Sequence, residues 1–149
     1  MAFYIGTSGW SYQHWRGVFY PPELPPGQWR DYYNRHFQTV ELNASFYRWP
    51  AEATFAGWRR ALPEGFLMSV KAPAGLTHRT RLYQPERWLA RVTTGLERLA
   101  PRLGVLLVQL PPNQPFDLAQ AGLFPGTSSV LAASGPGVSP SQLASRIGL

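Results

Sequence analysis

Thr39-Val40-Glu41-Leu42-Asn43 is the stretch on which the reading of the fold turns. Strand side chains alternate between faces, so Val40 and Leu42 share one side while Thr39, Glu41 and Asn43 share the other. In a barrel strand the apolar set packs under surrounding helices, which turns Glu41 and Asn43 toward the barrel axis. Three more short apolar stretches run into polar or glycine residues in the same way: Phe3 to Ser8, Phe66 to Lys71 and Val105 to Leu110. Short, mostly apolar runs of this kind suit parallel strands covered on both faces.

Working outward, the segments between these strands have helical spacing. Gln28 to Phe37 carries Trp29, Tyr32, Tyr33 and Phe37, and Ala53 to Leu62 carries Phe55, Trp58 and Leu62. Arg87 to Leu103 is the clearest, with Trp88, Val92, Leu96 and Leu99 on one stripe and Arg91, Glu97 and Arg98 on or near the opposite face. The order β, α, β, α, β, α, β, with crossovers long enough to return to a parallel neighbour, predicts an α/β fold. It is a partial (β/α) TIM-type barrel of about four parallel strands with intervening helices, plus an irregular C-terminal tail. The chain has 149 residues, against ~250 for a typical eight-fold barrel. Residues 1–117 read as the N-terminal half of such a barrel. In 118–149 Gly, Ser, Ala and Pro make up 19 of 32 residues and Arg146 is the only ionised side chain. That composition reads as a divergent, irregular or weakly helical tail, of the kind a frameshift or a truncated gene would leave.

The barrel reading collects polar side chains at one end. Ser69 and Lys71 face inward on the third strand, as Glu41 and Asn43 do on the second, and Gln109 does so on the fourth. All lie near the C-terminal strand ends, where barrel enzymes place their sites. Glu41 and Lys71, on consecutive strands, are expected to pair across the interior, because an isolated buried charge is costly. Such a cluster suits a polyol or sugar-like ligand, with Lys71 or Glu41 moving a proton. It equally suits a structural ion-pair network at the barrel mouth.

Lys71 is the single lysine among fourteen cations, and a compact ammonium that can lose its proton differs chemically from the arginines around it. His78, in Leu76-Thr77-His78-Arg79 after the third strand, is the best placed of the three histidines. The first strand ends in Gly6-Thr7-Ser8-Gly9-Trp10-Ser11-Tyr12, which reads more readily as a tight turn than as an anion cradle, since no Gly-Lys-Ser/Thr follows. Trp10, Tyr12, Trp15, Phe19, Tyr20, Phe46, Tyr47 and Trp49 fall in the loops after the first two strands. Their rings can stack on sugar faces or bases, or simply pack over the barrel top.

There are no cysteines, which removes thiolate catalysis and thiolate metal sites. The histidines lack metal-ligand spacing, so no metal or cofactor is implied. No secretory signal or apolar run of membrane-spanning length is visible, so a soluble cytoplasmic protein without membrane partners is expected. The net charge of +6 favours anionic partners, but its scattered distribution gives nucleic-acid binding only weak support.

Four motifs in order carry a resemblance: Ile5-Gly6-Thr7-Ser8-Gly9-Trp10-Ser11-Tyr12 with Trp15 and Phe19-Tyr20-Pro21; Thr39 to Arg48 with Pro50; Phe66 to Ala72 with Leu76-Thr77-His78; and Gln109-Leu110-Pro111-Pro112. Over residues 3 to about 117 the chain resembles the YecE-like family, a domain of unknown function sometimes described as related to sugar isomerases. The resemblance implies a seven- or eight-stranded TIM-type barrel. Family members continue into Glu-Phe-Arg-His, Arg-x-His-Gly and Phe-Asn-Asn segments that this sequence lacks. An intact family member is expected to be a sugar-isomerase-like or small polyol/sugar-phosphate-binding enzyme, and the strand-end reading offers Lys71, Glu41 and His78 for acid–base roles and Ser8, Trp10, Tyr12, Asn43, Tyr47 and Gln109 for substrate contact. A nucleic-acid-binding or phosphodiesterase-like barrel is the alternative for the family. For this chain, the alternative is a non-functional fragment that self-associates through open barrel edges.

Overall fold

The computed structural model describes residues 3–113, so the expected tail at 118–149 lies outside the described residues. Four strands form one sheet in the order β1-β2-β3-β4: β1 (Gly6–Thr7), β2 (Thr39–Leu42), β3 (Leu67–Lys71) and β4 (Leu103–Leu107). Every neighbouring pair is parallel. Between them lie α1 (Trp29–Tyr33), α2 (Ala44–Tyr47), α3 (Glu52–Ala61) and α4 (Glu86–Leu99), with a single π-helical turn at Gly75–Arg79. Strand, helix and next parallel strand repeat in the manner that opens a TIM-type barrel.

One face of the sheet lies in the core. Val40, Leu42, Met68, Val70 and Leu106 are all buried, together with Tyr33, Phe55, Val92, Leu96 and Leu99 from the helices. The strand residues between them, Thr39, Glu41, Leu67, Ser69 and Lys71, are only partly covered. The two-residue period that assigned Val40 and Glu41 to opposite faces therefore holds in three dimensions.

The helices form where apolar spacing and end charges agree. In α4, Val92, Leu96 and Leu99 recur at three- and four-residue intervals on the buried side, while Arg91, Glu97 and Arg98 stay exposed. Glu86 lies in its first turn and Arg98 in its last, each opposing the partial charge of that helix end. Helix α3 packs on α4 through Phe55, whose ring lies against Gly95. A Cβ at Gly95 would come within 2.7 Å of that ring, so the absence of a side chain lets the helices approach. Between the two helices Arg98 and Glu52 form an exposed ion pair at 3.2 Å, a contact of a few tenths of a kcal/mol, about 1 at most.

Four elements depart from expectation. Helix α4 ends at Leu99 rather than Leu103, which instead opens β4. Strand β1 spans only Gly6–Thr7 rather than Phe3 to Ser8, and Phe3, Tyr4 and Ile5 are exposed. Its pairing with β2 is close: a Cβ at Gly6 would sit 2.1 Å from the Thr39 carbonyl oxygen. Strand β4 begins two residues earlier than Val105, because the Met68 N–H donates to the Arg102 carbonyl at 2.7 Å and draws that segment into register. A register shift between Met68 and Val70 absorbs the extra residue. Helix α1 ends at Tyr33, after which bonds from His36 and Phe37 back to the Tyr33 carbonyl carry the chain through a turn.

Candidate strand-end site

The C-terminal strand ends carry two side-chain groups, each organised by the register. Glu41 stands opposite Ser69, and Lys71 stands opposite Leu107. Lys71 is thus one strand over from Glu41 and two residues further along, about 8 Å away between Cα atoms. Among the described residues no ion pair joins them. Glu41 instead has the Ser8 hydroxyl beside it, and Lys71 has the Phe46 ring.

The first group is Ser8, Glu41 and Asn43. The Ser8 hydroxyl donates to Glu41 Oε1 at 3.4 Å, and the Asn43 amide donates to Ser8 Oγ in turn. Ser8, Glu41 and Ser69, with Tyr4, Val105 and Leu107, line a concavity of about 390 Å³ on the inner face of the sheet. An acceptor-only carboxylate beside a hydroxyl and an amide is the donor set that vicinal hydroxyls match.

Phe46, on α2, organises the second group. The Lys71 ammonium lies over its ring, 5.1 Å from the centroid. The His78 ring meets it edge-on at 4.9 Å, and Tyr47 does so at 5.2 Å. His78 Nδ1 lies 2.9 Å from the hydroxyl of Thr77, which is itself fully buried in the π-helical turn. The structure thus brings Lys71 and His78 to one ring, Phe46, and brings Glu41 and Asn43 to Ser8. A cation on an aromatic face is held by the ring quadrupole, worth about 0.5–2 kcal/mol.

Two residues that the sequence reading passed over set this geometry. The buried Ser45 hydroxyl lies 2.8 Å from the Leu42 carbonyl and 2.6 Å from the Lys71 carbonyl. Its single proton is shared between the ends of β2 and β3, holding Lys71 beside the turn that carries Phe46. Tyr33 does the corresponding work between β1 and β2: its hydroxyl accepts the Thr7 N–H at 2.9 Å and donates to the Thr39 carbonyl at 2.9 Å. Both look like ordinary core residues in the sequence. The available signal was a hydroxyl-bearing residue inside an otherwise apolar or strand-capping position.

The remaining predicted contacts are distributed more widely. Trp10 packs against the core, 6.3 Å from Tyr33. The Tyr12 hydroxyl donates to the Ser8 carbonyl, and its ring lies 4.9 Å from Trp15. Tyr47 is exposed. Gln109 is partly buried two residues past the end of β4. Around the first loop, Tyr20 stacks flat on Trp29 at 4.8 Å and donates to the Trp10 carbonyl. Burial, reinforced by the neighbouring Tyr33, pushes the Tyr20 phenol up to about 12, so it remains a donor throughout the neutral range. The turn reading of Gly6 to Tyr12 fits this geometry: Gly9 has φ of +96° and the Thr7 hydroxyl donates to its carbonyl at 2.7 Å.

Known proteins resemble this chain in sequence and fold. The model of the DUF72 family, described as a protein of unknown function, matches residues 4–125. The chain belongs to the DUF72 family. It is 31% identical over 110 residues to the UPF0759 protein YecE of Escherichia coli K12, covering 72% of this chain and 37% of that one. The UPF0759 protein YunF of Bacillus subtilis 168 is 37% identical over 78 residues, covering 52% of this chain and 27% of its own length. A crystal structure of a DUF72 family protein from Thermotoga maritima MSB8 superposes with a TM-score of 0.72 at 32% identity, covering 89% of this chain and 55% of that one. This DUF72 chain thus spans under two fifths of the curated relatives it matches and about half of the solved structure. Among its described residues no helix is long and apolar enough to cross a membrane.

Proposed function

We propose that the strand-end site binds a small polyhydroxylated anion of the sugar-phosphate class and moves a proton on it. The observation that carries this reading is the separation of the two charges: Glu41 is held by Ser8, and Lys71 by the Phe46 ring. A carboxylate and an ammonium neutralised by each other would offer a ligand little. Held apart by neutral partners, the carboxylate and amide suit hydroxyls, and the ammonium suits an anionic end.

In this reading Glu41 accepts a proton from a carbon beside a carbonyl, and Lys71 and His78 stabilise the charge that develops on oxygen. Ser8 and Asn43 orient the carboxylate. Gln109, Trp10, Tyr12 and Tyr47 are assigned to the periphery of the ligand.

Titration calorimetry with a panel of aldose phosphates, followed by proton exchange at C2 in heavy water, tests it. Saturable binding is expected, weakened at least about tenfold by Lys71→Met through loss of the charge-assisted contact. Glu41→Gln is expected to keep binding and lose exchange. Binding and exchange that survive both substitutions would remove the assignment.

A further inference from the structure

Thr80, Tyr83, Gln84, Arg87, Trp88 and Arg91 line a second concavity, of about 520 Å³, between the loop that follows the π-helical turn and the first two turns of α4. It shares no residue with the concavity beside Glu41, and its size is that of a small-molecule site. Arg87 and Arg91 stand one helical turn apart, so their side chains reach the same patch, and like charges at this spacing disfavour a helix. Both are exposed. Among the described residues neither is in an ion pair, and none of the six lining residues is acidic. Glu52 borders the neighbouring groove that the two arginines also line, but its carboxylate is paired with Arg98. Two guanidinium forks at one patch match the oxygens of a phosphate.

The aromatic walls are held in place from behind. The Trp88 ring packs into the π-helical turn, where a Cβ at Gly75 would come within 2.0 Å of its Cζ2, so the ring takes this position only beside a glycine. The Arg91 guanidinium lies 5.9 Å from the Trp88 ring centre, a contact that steadies its fork. In the loop, Leu82 is buried and its N–H donates to the Leu76 carbonyl at 3.0 Å. Arg81, Leu82 and Gln84 have φ of +49°, +64° and +44°, a region that side chains with a Cβ disfavour. Such conformations persist where the surroundings enforce them, as at ligand clamps. Anchored in this way, the loop leaves Tyr83 67% exposed at the concavity, next to Gln84.

We propose that this concavity binds a small phosphate ester carrying a planar ring, of the nucleoside-phosphate class. The phosphate lies at the Arg87 and Arg91 guanidiniums, the ring stacks on Tyr83, and the Gln84 amide pairs with the ring's polar edge. The site is separate from the strand-end one, and its test does not depend on what binds there. Titration calorimetry of the 149-residue chain with ADP, at about 0.15 M salt so that distant charges are screened, decides the proposal. Saturable binding is expected, with inorganic phosphate at least about fivefold weaker for want of a ring to stack. Arg87→Gln and Arg91→Gln are each expected to weaken ADP binding about tenfold or more, and Tyr83→Ala about fivefold or more. Arg98→Gln removes the same charge from the same helix outside the concavity and is expected to leave binding unchanged. Circular dichroism checks that the variants stay folded. No saturation with ADP, equal affinity for inorganic phosphate, equal weakening by Arg98→Gln, or capture of a thymidine oligonucleotide without binding of ADP would each overturn the proposal.

Discussion

The two faces of the sheet are built from the same strands in the same register, yet they obey different rules. On the helix-covered face Val40, Met68 and Val70 are at most 1% exposed and lie in one core with Phe55, Leu96 and Leu99. On the other face Thr39, Glu41, Ser69 and Lys71 are partly open, and the contacts of Glu41 and Lys71 are a hydrogen bond from Ser8 and the face of a ring. Burial of apolar area, at about 25 cal/mol per Å², concentrates the stabilisation on the first face. The second face is then free to hold groups chosen for what they can bind.

Three substitutions sharpen or break that contrast. Phe55→Ala, in the helix-covered core, is expected to cost about 3–5 kcal/mol, because it removes a ring packed 5.2 Å from Trp49 and 5.4 Å from Trp58 and leaves a cavity. Urea unfolding measures it, and a loss below about 1 kcal/mol would mean that the helix layer is not what holds the sheet. Next comes Tyr33→Phe, at the hydroxyl that bridges β1 and β2: it strands the Thr7 N–H and the Thr39 carbonyl at a cost of about 1–3 kcal/mol. Slower amide exchange at Thr7 in that variant would contradict the bridging role. The smallest effect is expected from Glu41→Gln, which keeps the shape and an acceptor for Ser8. A stability change within about 0.5 kcal/mol is expected, and a loss approaching that of Phe55→Ala would make Glu41 a structural residue.

Legibility in the sequence follows the same division. The apolar sets Val40/Leu42 and Met68/Val70, and the Val92/Leu96/Leu99 stripe, were readable because burial imposes periods of 2 and 3.6 on residue type. Their partners on the opposite face, Glu41, Ser69 and Lys71, followed from parity alone, whereas Asn43, expected on the same strand, lies past the end of β2 in helical conformation at the start of α2. Boundaries read less well: β4 begins at Leu103 rather than Val105, because a bond from a neighbouring strand, absent from any local pattern, selects the register. Ser45 was invisible for a related reason, since its two acceptors lie on different strands.

What the amino-acid order determined unaided is the sequence of strands and helices and which side of each strand faces the helices, since both are local consequences of alternation and amphipathic spacing. Which polar group meets which was decided only in three dimensions. Glu41 turns to Ser8 and Lys71 to Phe46 rather than to each other, because the assembled strands bring Ser8, just after β1, and Phe46, on α2, beside them. Distances across a sheet depend on stagger, and stagger is a property of the assembled strands rather than of any one segment.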